Sequence, residues 1–87
     1  MNWHRGGDFA PLMLVLGGSK KYRLVNTLGA LAETLLAAWP SDDGEDYIVA
    51  VRACLDAIHG NASACDARSA LIRAAREAGI PVISVVH

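Results

Sequence analysis

Pro40, coming straight after Trp39, limits this chain more than any other residue does. An apolar series at helical spacing, Leu28, Leu31, Ala32, Leu35, Leu36 and Trp39, runs up to it. Proline has no amide hydrogen and crowds the preceding turn, so one helix ends here, spanning roughly 28–38. After the break, Ser41-Asp42-Asp43-Gly44 forms a polar turn. A second helix then carries Tyr47, Ile48, Val51, Cys54, Leu55 and Ile58 as one stripe and closes at His59-Gly60. The stretch 38–60 is therefore the pivot of the fold: a helix end, an acidic loop and the best-patterned apolar face in the sequence.

Residues on either side extend this pattern. Residues 1–8 have no apolar period and read as a leader, so residues 9–87 form a single domain. Leu12 to Leu16 is a short apolar run bounded by Pro11 and Gly17-Gly18, which predicts a strand. Lys20 to Val25 alternates, with Tyr22 and Leu24 on one side and Lys21, Arg23 and Val25 on the other. The expectation is an antiparallel hairpin whose second strand turns its basic face to water. Asn26 or Thr27 caps the first helix. Ser63 caps a third at about 64–78, with Asp66 placed for a capping box. That third helix has an apolar face of Ala67, Leu71, Ala74 and Ala78, flanked by Ala70 and Ile72, and Gly79 ends it. Residues 80–86, rich in β-branched side chains, predict a last strand that tolerates Pro81 near its start. The predicted fold is α+β: a small three-stranded sheet, made of the N-terminal β-hairpin plus the C-terminal strand, covered on one face by three helices in the order ββαααβ.

Composition narrows the function classes. A chain of 87 residues that is 53% hydrophobic makes one folded domain with a thin core. A formal net charge of −1 offers no general attraction to phosphate backbones or anionic lipids, so nucleic acid and membrane are not expected partners. The apolar run 11–16 is about half a membrane span and lacks a cleavage site. Cys54 and Cys65 are too few for a disulfide scaffold and read as free thiols in a reducing compartment, which implies a cytoplasmic protein.

The segments LAAWP (36–40), AVRACLDAIHG (50–60) and ARSALIRAAREAGI (67–80) together resemble the DUF982 family of short alphaproteobacterial proteins. The likeness covers Phe9 to about Val82. It implies no catalytic residues and no activity, since none has been assigned to the family.

Chemical candidates are weak when taken one by one. Cys54 sits on an apolar stripe, where cysteine packs as a small hydrophobe. Cys65, in the first turn of a helix, gains from the dipole what neighbouring Asp66 offsets. His4, His59 and His87 are scattered without ligand spacing, so no metal or cofactor is expected. Asp42, Asp43, Glu45 and Asp46 lack the alternation and distal glutamate of a calcium loop and instead suit a helix start. Arg52 with Asp56, and Arg73 with Glu77, are spaced to pair along their helices.

The expected role is a non-enzymatic interaction domain that self-associates, most simply as a homodimer, and contacts an unidentified protein partner. The motive is apolar surface on the C-terminal strand and the alanine-rich helix. The expected surface is Val82, Ile83, Val85, Lys21, Arg23 and Arg76. Two alternatives stand beside it. One is a nucleic-acid accessory factor using Lys20, Lys21, Arg23, Arg68, Arg73 and Arg76. The other is a thiol-dependent or small-molecule enzyme centred on Cys65 or Cys54.

Overall fold

The structure is a computed structural model, and it describes residues 8–16, 21–40 and 43–84. Strand β1 (Asp8–Leu16) and strand β2 (Lys21–Thr27) form the expected antiparallel hairpin. Helix α1 (Leu28–Glu33) follows directly and continues as a π-helical turn (Thr34–Ala38). Helices α2 (Glu45–Ile58) and α3 (Ala64–Ala78) come next, and the short strand β3 (Val82–Ser84) pairs antiparallel with β1. The sheet order is β2-β1-β3, so the first strand is central and the last lies at an edge.

Pro11, expected to bound the first strand, lies inside it. The pairing of β1 with β2 shifts register between Asp8 and Leu12, and such an irregularity accommodates a residue with no hydrogen to donate. Of the expected leader, residues 1–8, only Asp8 is described, as the first residue of β1; residues 1–7 and the tail 85–87, Val85 included, lie outside the described residues.

One face of the sheet meets the helices. Leu12, Leu14 and Leu16 alternate along β1 and are buried. Their cross-strand partner Val25 is buried with them, and Leu28, Leu31 and Leu35 close over this layer. The expected orientation of β2 is therefore reversed. Register places Arg23 opposite Leu14 and Val25 opposite Leu12, so these residues share the helix-covered face. Tyr22 and Leu24 point to the exposed side instead. Arg23 becomes tolerable there through its partners: Nε donates to Thr34 Oγ1 at 2.9 Å, and the guanidinium pairs with Glu33 at 3.1 Å.

The second helix is also rotated from its expected setting. Ala50, Cys54 and Ala57 form its buried line, whereas Ile48, Leu55 and Ile58 are exposed and Tyr47 and Val51 are half-buried. The reason is α3, whose buried Ala67, Ala70, Leu71, Ala74 and Ala75 present a nearly flat, small-residue face. Small residues on α2 let the two helices approach closely, and α2 and α3 pack directly on each other. The bulkier stripe is displaced to the flank.

The caps follow local chemistry. Thr27 accepts from the Ala30 amide, and Ser63 with Asp66 completes a reciprocal capping box. Gly79 ends α3 in the left-handed region at φ 75°, where a side chain would be strained. The start of α2 is capped from a distance. Gly44 offers no side chain, and the Glu77 carboxylate at the end of α3 accepts from the amides of Asp46 (3.2 Å) and Tyr47 (3.1 Å). Glu77 thus serves a neighbouring helix rather than pairing with Arg73.

Candidate functional site

Among the described residues, two apolar surfaces stand exposed. The first is the outer face of the sheet. Met13 stands between Leu24 on β2 and Ile83 on β3, and Val15 stands opposite Tyr22. Tyr22, Leu24 and Ile83 are 60%, 48% and 51% exposed. With Pro11 and Asn26, these are the described residues of that face, and none carries a charge. An antiparallel sheet with one wet face normally alternates apolar-in and polar-out. This one is apolar on both sides.

The second surface lies along α2. Ile48, Val51, Leu55 and Ile58 follow one another at spacings of three, four and three residues. Leu36, 68% exposed on the π-helical turn, lies beside Val51 and Leu55. Leu36, Ile48, Val51 and Leu55, together with Tyr47, Arg52, Asp56 and His59, line an open hollow of about 540 Å³. The π-helical turn that presents Leu36 has identifiable causes. Buried Thr34 donates from Oγ1 to Ala30 O at 2.7 Å, a back-bond that loosens the helical ladder. With i→i+5 bonding, the donor to Leu35 O would be the nitrogen of Pro40, which has no hydrogen. Tyr47 replaces it, its hydroxyl donating to Leu35 O at 2.8 Å, while the Trp39 and Tyr47 rings lie 6.2 Å apart. The turn and the start of α2 are thereby held together.

The chemistry available in the hollow is limited. Its floor is aliphatic, its tyrosine hydroxyl is already engaged, and Arg52 and Asp56 line it without forming an ion pair with each other. Cys54 lies behind the floor, not in it. Its Sγ is 3.8 Å from Leu28 O, and burial pushes the thiol pKa up, which disfavours the reactive thiolate. Cys65 is exposed on α3. Among the described residues, no three His, Cys, Asp or Glu side chains gather where a metal could be held, and no buried side-chain polar atom lacks a partner.

The other residues singled out in the sequence are dispersed. Val82 is half-buried against the core, and Ile83 belongs to the outer sheet face. Arg76 is exposed beside Ile72, Ile80, Pro81 and Val82. Arg23 is tied to Glu33 and Thr34, and the backbone of Lys21 pairs with Leu16 at the start of β2. The alanine face of α3, one motive for self-association, is covered by α2. Sequence reasoning missed the exposure of the α2 stripe. The signal available was Ala50, Cys54 and Ala57 at helical spacing on the adjoining face, a small-residue line matching that of α3.

Fold and surfaces define a class, a small two-layer α+β domain with a bare sheet face and a bare helix flank. Within that class, the profile of the DUF982 family, described as proteins of unknown function, matches residues 10–82, and the chain belongs to this family. A comparison with curated proteins finds no match. A comparison with solved structures also finds none. No described helix is long and apolar enough to cross a membrane.

Proposed function

We propose that this protein is a non-enzymatic interaction domain of the cytoplasm that acts through protein contact, including contact between its own copies. The observation that carries this reading is the outer sheet face, which has no charge among its described residues and a continuous row Leu24, Met13, Ile83 across all three strands. Contiguous apolar surface of this kind, exposed on a small domain, is the ordinary mark of a surface that another protein covers. The α2 flank adds a second such surface. Two free cysteines fit a reducing compartment.

The test combines association state with capture. Sedimentation equilibrium at tens of micromolar is expected to show a dimer. Tagged protein expressed in its native cytoplasm is expected to retain a specific protein that the Leu24→Lys, Ile83→Lys double variant loses. A wild-type monomer that also captures nothing sensitive to that double variant overturns the reading.

A further inference from the structure

The α2 flank carries more information than its apolar stripe. Ile48, Val51, Leu55 and Ile58 have the a and d spacing of a coiled-coil seam, three turns long. On one side of this seam, helical spacing places Glu45, Arg52, Asp56 and His59 in that order from the start of the helix to its end. The order is acid, base, acid and then an imidazole that can hydrogen-bond to an acid, so a reversed copy brings Arg52 level with Asp56 and His59 level with Glu45. We propose that the flank of α2 is the self-association surface, with α2 packed antiparallel on α2 of a second copy about a two-fold axis level with Ala53. The inference rests on the self-contact part of the functional reading and adds the surface and the arrangement.

In this arrangement Ile48 packs against Ile58 of the second copy, and Val51 against Leu55. With a rise of about 1.5 Å per residue, Arg52 comes within about 3 Å along the axis of Asp56 of the second copy, and His59 within about 3 Å of Glu45. Along the centre of the flank the order is Asp56, Arg52 of the second copy, Arg52, and Asp56 of the second copy, so each arginine has an acid on one side and the other arginine across the axis, and the two acids flank the arginine pair. Among the described residues Arg52 and Asp56 form no ion pair, so both are offered across the axis. Leu36 widens the seam from the π-helical turn. The described residues of the outer sheet face have no charges to set a register between copies, and they remain available to an unlike partner.

Three turns of helix present less than the about 800 Å² per partner of a standard interface, so the expected dissociation constant lies in the micromolar range. The test is a charge-swap cycle read by sedimentation equilibrium on the full chain, with far-ultraviolet circular dichroism to verify folding. Arg52→Asp makes the flank acidic throughout its centre and Asp56→Arg makes it basic. Each is expected to weaken the dimer about tenfold or more. The double variant Arg52→Asp, Asp56→Arg restores the alternation and is expected to return to within about threefold of wild type. Leu55→Asp, at a half-exposed position, is expected to give a monomer with the circular dichroism of the wild type. If the wild type dimerises and none of these variants weakens it, or if the double variant fails to recover while folded, the α2 interface is wrong and the contact reading stands. A wild type that stays monomeric to hundreds of micromolar overturns this inference and self-association together, and leaves the sheet face to the capture experiment.

Discussion

Cys54 and Cys65 show how one side chain takes two roles by placement alone. Cys54 packs between α2 and the start of α1, and Cys65 stands in solvent on the first turn of α3. A thiol-reactive dye is expected to label Cys65 rapidly and Cys54 only as the protein unfolds, which stopped-flow labelling with and without urea can resolve. Burial also gives Cys54 a pH signature. Its folded pKa is raised above the ordinary value of 9.0, so the folded state holds the thiol proton where the unfolded state has released it. Its contribution to stability is therefore complete below pH 9 and is lost as pH rises from there through the folded pKa. Urea melts of wild type and Cys54→Ala between pH 7 and 10.5 are expected to converge at the alkaline end, with Cys54→Ala about 1 kcal/mol less stable at pH 7. A constant difference across that range would show that burial of Cys54 does not shift the thiol. The packing role of this residue was legible from its place on an apolar stripe. That the larger members of that stripe, Ile48, Leu55 and Ile58, faced outward was not, because helical spacing says which residues share a face and not which part of it is covered.

At the scale of elements, two long-range contacts fix where α2 begins. Glu77 caps it from the far end of α3, and Tyr47 returns from it to close the π-helical turn. Glu77→Ala is expected to cost about 1 kcal/mol, the usual worth of a helix cap. Gly44→Ala is expected to cost a similar amount, because a Cβ at position 44 would occupy the place of the Glu77 carboxylate and evict it. Since both changes remove one interaction, the double variant should be little worse than either single one, and additive losses would refute the shared mechanism. Tyr47→Phe leaves Leu35 O without a donor and is expected to cost about 1 kcal/mol in the same urea titration. Local signals at Thr27, Ser63, Gly60 and Gly79 announced their helix ends in the sequence, since a cap works within four residues. The Glu77 cap spans 31 residues and the Tyr47 bond 12, so no local pattern points to them. Arg73 to Glu77 spacing suggested a nearer partner.

Over the whole molecule, element order follows from punctuation: Pro40 after Trp39, glycines after α2 and α3, and a β-branched tail. The layer assignment does not, because both faces of β2 offer reasonable sides. Tyr22 and Leu24 look like core, and the arginine alternating with Val25 looks like surface. The choice is made by β1, whose Leu12, Leu14 and Leu16 must all turn toward the helices and take their cross-strand partners with them. This predicts opposite costs at adjacent positions. Leu24, 48% exposed on the bare face, is expected to tolerate Thr with a change within about 0.5 kcal/mol. Val25, fully buried one residue along, is nearly the same size as Thr, so Val25→Thr tests polarity with little change in volume. Its added hydroxyl enters an aliphatic layer, at a cost of about 1–3 kcal/mol. Chemical denaturation of the two single variants in dilute solution measures both. Equal losses, or a larger loss at Leu24, would mean that the sheet turns its other side to the helices, and that the row through Leu24, Met13 and Ile83 is core, not a surface held out for contact.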